Sequence, residues 1–199
     1  MAEMSDTIIR DKYFKDKTDG FFVECGAADG LLLSVCKYFE DKGWSGINIE
    51  PVPYLFQQLI KNRPNSRNIN LAISNFIGTH KFIDLKHTSE PNGIIGCGYL
   101  DILDKKQNNP STIYTTFNVN VTKFSQIFTE NRPIDLFVLD VEGTEIQALE
   151  GILEIPKEFY PEIFCIEINK IDINKLDSML CDYYTLDYET EIDRIYKRK

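Results

Sequence analysis

Four short apolar runs constrain this chain more than anything else in it: "FFVEC" (21–25), "SGINIE" (45–50), "IDLFVLDV" (134–141) and "EIFCIEIN" (162–169). Each has strand length and is followed by a stretch with helical spacing. A strand that is apolar almost throughout is covered on both faces, and strands separated by helices lie parallel. The chain is therefore expected to be an α/β protein, a doubly wound, mostly parallel sheet with helices on both faces. "RNINLAIS" (67–74) supplies a third strand after the first two. Helices are expected over 6–17, with Ile8, Ile9, Tyr13 and Phe14 inward, over 31–42 up to Gly43, and over "PVPYLFQQLIKNR", whose prolines come early, where a helix tolerates them. "TKFSQIFTEN", "GTEIQALEGI" and "IDINKLDSMLCDYY" also carry helical spacing, and the tail "YTLDYETEIDRIYKRK" reads as a C-terminal antiparallel hairpin. Residues 76–121 break the rhythm: "FIGTHKFIDL" and "TIYTTFNVNV" alternate like strands around a polar loop. We expect one domain over 1–199 with an irregular insert at about 86–110 that resembles an active-site lid.

Open sheets of this kind bind ligands beyond the carboxyl ends of their strands, where the strand order reverses. That directs attention to residues 24–30, 50–51, 71–74, 140–145 and 167–169. The turn "ECGAADG" after the first strand is not a dinucleotide fingerprint, because Ala28 and Leu31 stand where glycines are needed. No Gly-Lys-Ser/Thr follows, so it is not a P-loop either. Its pattern is an acid, Glu24, with Gly26 and Gly30 spaced behind it and Asp29 between them. Such a turn suits a ligand that presents a cation or hydrogen-bond donors. S-adenosylmethionine fits, with an ammonium group, a carboxylate and ribose hydroxyls. Glu50, at the end of the second strand, stands where nucleotide-binding folds place an acid for those hydroxyls. The bland alternative is that Glu24 and Glu50 merely solvate strand ends.

"GFFVECGAADG", "GWSGINIEP", "NLAIS" and "IDLFVLDVEGTEIQALEGI", in this order over roughly residues 20–170, resemble the FkbM-type methyltransferases. Asp140 to Glu145 and the Glu50-Pro51 pair carry most of that likeness. The resemblance implies a class I, Rossmann-like enzyme that uses S-adenosylmethionine, releases S-adenosylhomocysteine, and methylates hydroxyl oxygens of sugars or natural products. It implies Glu24, Gly26, Ala27, Asp29 and Gly30 around the methionine moiety, Glu50 and Pro51 at the ribose, Ala72 and Ile73 at the adenine, and Asp140 beside the cofactor. "NGIIGCGYLDILDKK" departs from the family, and the acceptor is expected to be chosen there.

A hydroxyl acceptor must lose its proton during transfer. Asp140 is the first candidate for acceptor contact or base, although an acid there can also hold the cofactor's amino group or cap the following helix, as Thr144 can. Glu142 would share its pocket, and two close carboxylates push at least one pKa up. Glu145 falls in the first turn of a helix, where the dipole alone accounts for an acid. Of the two histidines, His80 sits on an alternating strand, while His87 opens the insert and could reach over the site as a base. Tyr99 could stack on an acceptor. A rival arrangement would hold a hard cation with Asp140, Glu167 and Asn169. Nothing in the spacing demands it, and neutralising Lys170 is a sufficient reason for Glu167, so no metal ligand is assigned.

Formal charge of −9 and a pI near 4.8 argue against nucleic acid and anionic membranes as partners; a small-molecule or glycan acceptor is what the family resemblance implies. Five cysteines without a CxxC pair suggest a reducing compartment, and no apolar stretch marks a signal peptide or span, so a cytoplasmic location is expected. N-methylation, or an inactive module that keeps the cofactor pocket, are the alternatives. A nicotinamide oxidoreductase is disfavoured by the missing glycines.

Overall fold

The computed structural model describes residues 2–87, 98–102 and 111–199, and their side chains except those of 2–4 and 87. In chain order the strands are β1 (Phe21–Cys25), β2 (Ser45–Ile49), β3 (Arg67–Ile69), β4 (Ala72–Ile73), β5 (Gly78–His87), β6 (Gly98–Leu100), β7 (Thr112–Thr122), β8 (Leu136–Leu139), β9 (Ile163–Glu167), β10 (Tyr184–Glu189) and β11 (Asp193–Arg198). The helices are α1 (Ala2–Ile8, continued by a π-helical turn to Tyr13), α2 (Lys37–Asp41), α3 (Pro53–Asn62), α4 (Glu145–Ile152) and α5 (Ile173–Leu180). None of the described helices is long and apolar enough to cross a membrane.

The main sheet has seven strands in the order β3-β2-β1-β8-β9-β11-β10. The first five are parallel, and β11 runs antiparallel between β9 and β10, as the C-terminal hairpin requires. The chain winds outward from β1 to β3, then returns to lay β8 on the other side of β1 with Cys25 opposite Leu139. The switch point therefore lies between β1 and β8. Side chains alternate across the sheet. Val23, Cys25, Phe137, Leu139 and Phe164 pack under α4 and α5 on one face. Phe22, Leu136, Val138 and Cys165 meet Phe14, Phe39 and Trp44 on the other. Phe14 and Trp44 pack edge to face with ring centres 5.0 Å apart. Cys25 and Cys165 are buried free thiols, the small core residues their apolar context implies.

Residues 72–122 build a second sheet, in the order β4-β7-β5-β6, around a ladder that pairs Gly78 with Val121 and His87 with Thr112. Phe82, Leu100, Val119 and Val121 pack there against Val52, Leu55 and Ala72. The expected single strand "RNINLAIS" is thus two. Asn70 donates its side-chain amide to the carbonyls of Glu50 and Pro51, bending the chain out of the main sheet, and β4 pairs with β7 instead.

Two expected helices are corrected. Of residues 31–42 only α2 is helical: Asp29 Oδ1 accepts from the N–H of Leu31 and of Leu32, and Leu33 has φ +58°, so the chain turns before a helix can begin. Of "TKFSQIFTEN" only Phe124–Gln126 forms a 3-10 turn, where burial of Phe124 against Phe137 and Phe128 replaces helical pairing. Most of the expected 86–110 insert lies outside the described residues; Gly98–Leu100 within it is a strand.

Candidate active site

The turn after β1 folds over the end of β2. The N–H groups of Gly26 and Ala27 both donate to the Ile49 carbonyl, at 3.0 and 3.1 Å, and the Asp140 N–H donates to the Cys25 carbonyl at 3.1 Å. Gly26 has φ +87°, and a Cβ on it would stand 1.8 Å from the Asp140 carbonyl oxygen. Only glycine lets the ends of β1 and β8 meet so closely and leaves bare backbone on the cavity side.

Glu50 follows β2 and is buried. Its Oε2 accepts from the Ala28 N–H at 2.9 Å and its Oε1 from the Val52 N–H at 2.8 Å. Burial nonetheless prevails over these two donors and pushes its pKa to about 8. Pro51, Ala72 and Ile73 line the same narrow cleft, together with Asp84 and Phe82 from the second sheet. Asp84 carries no signal in an alternating strand, yet it is buried, accepts a hydrogen bond from the Tyr54 hydroxyl, and its own carboxyl is pushed up by burial.

Beside this cleft opens a larger cavity of about 450 Å³, lined by Ala27, Leu32, Leu33, Asp140, Glu142 and Glu167 among others. That volume is in the range of ligand pockets, about 300–1,000 Å³. Cys25, Gly26, Asp140 and Glu142 border both spaces, so an elongated ligand can pass from one to the other across the glycine turn. Backbone laid bare at Gly26 and an acid at Glu50 fit S-adenosylmethionine: its ribose hydroxyls would meet Glu50 and its adenine the walls formed by Ala72 and Ile73.

Three residues of the turn have other partners. Glu24 accepts from the Ser34 hydroxyl at 2.8 and 2.9 Å, from the Cys36 N–H at 3.2 Å and from Arg63 Nη1 at 3.4 Å. Arg63 is fully buried, also bonds Glu40 and the Gly30 carbonyl, and lies over the Phe22 ring. Gly30 is needed for that packing, since a Cβ there would stand 2.6 Å from both Arg63 Cγ and Leu59 Cδ1. Asp29 caps the turn and, like Gly30, lines neither cavity. Arg63 was invisible to local pattern because "IKNR" reads as the solvated end of a helix.

Asp140 is solvent-accessible yet surrounded by protein, as a side chain on the floor of a cleft is. Burial, and then Glu167, Glu142, Glu145 and Asp193, hold its carboxyl well above the ordinary range. Burial and the neighbouring acids Glu142 and Glu145 push Glu167 to about 7. Glu142 pairs with Lys170. Glu145 is buried, and its Oε1 accepts from the N–H of Val141 at 2.9 Å and of Gly143 at 3.0 Å, closing the loop that leads into α4. Asn169 donates its amide to Glu167 Oε1 at 3.0 Å. His80 Nε2 bonds the Asp101 carbonyl, away from both cavities, and Tyr99 is buried in β6. The side chain of His87 lies outside the described residues.

The fold is shared with several solved structures at low identity. Fibrillarin in a fibrillarin/Nop5p complex aligns at 13% identity with a TM-score of 0.53, covering 99% of this chain and 81% of that one. The Methanococcus jannaschii fibrillarin pre-rRNA processing protein gives 14%, 0.51, 98% and 74%. A delta-N METTL16 methyltransferase domain gives 10%, 0.51, 98% and 81%. No curated protein sequence matches this one. The family model of the methyltransferase FkbM domain matches residues 24–189, from the acid that opens the glycine turn to the end of β10. The chain belongs to the FkbM methyltransferase family and is an S-adenosylmethionine-dependent methyltransferase.

Proposed function

We propose that the chain methylates a hydroxyl oxygen on a sugar or small natural product. One observation supports this above the others: Asp140 stands accessible at the junction of the two cavities with a carboxyl of raised pKa. A carboxylate of raised pKa is a stronger base than an ordinary one, which is what a hydroxyl acceptor needs and a neutral amine does not. Bound S-adenosylmethionine would supply the methyl group from its sulfonium, leaving S-adenosylhomocysteine.

On this reading Glu50 orients the ribose, Gly26 and Ala27 present backbone to the methionine portion, and Asp140 receives the proton of the attacking hydroxyl. Glu142, tied to Lys170, fixes the wall beside it. The apolar Leu32 and Leu33, half exposed at the mouth of the larger cavity, give the acceptor a surface to lie on. A cavity of about 450 Å³ suits one sugar ring or a comparable molecule.

The test is a panel of glycan, phenolic and amine acceptors, followed by S-adenosylhomocysteine release and mass shift of the product. Methylation of hydroxyl compounds that Asp140→Asn slows by at least about 100-fold, the lower end of general-base effects, supports the proposal. Turnover of amines alone would replace it with N-methylation. Tight S-adenosylhomocysteine binding with no turnover of the panel would favour the inactive-module reading.

A further inference from the structure

We propose that Asp140, Glu145 and Glu167 form a binding site for one hard divalent cation of the calcium, manganese or magnesium class. The three come from separate places: the end of β8, the first turn of α4 and the end of β9. One carboxylate oxygen from each lies within 4.8 Å of the others. Oxygens that lie this close can converge on one hard cation, whose oxygen ligands stand about 2.3–2.6 Å away for calcium, with small side-chain adjustments.

The second observation concerns atoms that lack what burial normally demands. Among the described residues, Oε2 of Glu145 and Oε2 of Glu167 are buried without any hydrogen-bond partner, and Glu145 as a whole is 0% exposed. A buried carboxylate oxygen left unpaired is costly, and buried charges are normally paired or coordinate metals. The cation of the neighbourhood, Lys170, is bonded to Glu142. Five acids, Asp140, Glu142, Glu145, Glu167 and Asp193, thus act on one another, and Lys170 offsets them only in part.

A bare ion meets these demands better than the cofactor's own positive groups. Glu145 is closed to solvent, so a substituted ammonium or sulfonium, which carries its carbon skeleton, does not reach it. The accessible side of Asp140 opens to the cavity, which gives an ion its entry path. Asn169, which lines the same cavity, orients Glu167 through the bond to Oε1, the outer-shell support metal ligands usually have. The site rests on these carboxylates and not on the identity of the acceptor. An ion there would take Asp140 as a ligand in place of the base role given to it above, and at the edge of the acceptor cavity the ion itself would polarise a hydroxyl oxygen.

The experiment is a titration of the 199-residue chain, without cofactor, with Mn²⁺ as the probe, followed by electron paramagnetic resonance of free Mn²⁺ and by calorimetry. One site is expected, with a dissociation constant between about 10⁻⁵ and 10⁻³ M. Glu145→Gln and Glu167→Gln should each weaken it at least about tenfold, while the exposed Glu191→Gln leaves it unchanged. Glu145→Gln keeps an oxygen for the Val141 and Gly143 N–H groups, and thermal melts establish that each variant is folded. Absence of Mn²⁺ binding up to about 10 mM, or binding undiminished in both variants, overturns the proposal. S-adenosylhomocysteine is titrated in parallel: its binding without Mn²⁺ binding sinks the cation site alone, and Mn²⁺ binding without it sinks the methyltransfer reading alone.

Discussion

Arg63→Leu removes one guanidinium from beneath the cofactor turn and leaves two carboxylates, Glu24 and Glu40, without it. All three side chains are nearly or wholly buried, with exposures of 0% for Arg63, 4% for Glu24 and 8% for Glu40. Solvent therefore cannot replace the lost partner. Breaking a buried ion pair from one side costs about 3–5 kcal/mol, because the remaining charge stays desolvated. For a chain of this size each kcal/mol moves the melting temperature by about 2–4 °C, which gives a loss of roughly 6–20 °C. The loss should also depend on pH. Burial already raises the Glu24 carboxyl, and Arg63 is the largest influence holding it down. Without the arginine, folded Glu24 rises further above its unfolded value of about 4.3. A carboxyl that is raised on folding costs no stability below its unfolded pKa and costs progressively more as pH climbs toward the folded one. The deficit of Arg63→Leu should thus be smallest near the unfolded carboxyl pKa, about 4.3, and grow as pH rises above it. Urea unfolding at several pH values measures it, and adding Glu24→Gln should recover part of the loss at high pH. A deficit under about 1 kcal/mol at about pH 8, or one that does not vary with pH, would refute the account of Glu24 and Arg63 as a buried pair.

Glu50 gives the same kind of dependence in the wild-type chain. Its pKa of about 8 against an unfolded value of about 4.3 means that stability falls as pH rises between the two, by a ceiling on the order of 5 kcal/mol, and Glu50→Gln should flatten that slope in urea melts between about pH 5 and 9. An unchanged slope would mean that Glu50 ionises in water-like surroundings. Gly26→Ala places a methyl 1.8 Å from the Asp140 carbonyl oxygen and forces a side chain onto φ +87°, so the ends of β1 and β8 must part. S-adenosylhomocysteine affinity should drop at least about tenfold by calorimetry, since even about 1.4 kcal/mol of misplacement does that; wild-type affinity would contradict the role given to the turn.

The parts of this molecule that were legible in its sequence are those where a local pattern has one physical meaning. An unbroken apolar run such as "FFVEC" must be covered on both faces, and β1, β2, β8 and β9 follow from that alone. The ends of those strands located Glu50 and Asp140 without any knowledge of what lies between. "GLLLS" had two meanings. Three leucines in a row suit a helix face, but Leu31, Leu32 and Leu33 are 50%, 45% and 66% exposed, because Asp29 caps them into a turn and Ser34 is drawn back to Glu24. The contact that decides the matter, Arg63 to Glu24, joins residues 39 apart, far beyond any helical or strand period. The second sheet shows the same division: alternation in 78–87 and 112–122 marks strands, but nothing in it says that they leave the main sheet and carry Asp84 to the wall of the narrow cleft beside Glu50.

Glu145 shows why the remainder of the site could not be read from the chain. A carboxylate in the first turn of a helix is explained by the helix dipole, and in the structure its Oε1 takes the N–H of Val141 and Gly143 in the loop that leads into α4. That explanation uses one oxygen of two. The other is buried with no partner, beside acids at the ends of β8 and β9 that a reader of the sequence would pair with Asn169 or Lys170. Asn169 does donate to Glu167, but only to Oε1, and Lys170 bonds Glu142 while merely offsetting the charge of Glu167. A sequence shows that an acid has a sufficient structural reason to be present; only coordinates show whether that reason accounts for both of its oxygens. Where it accounts for one, the second is a demand on a ligand, and at the junction of β8, β9 and α4 the demand is for a cation.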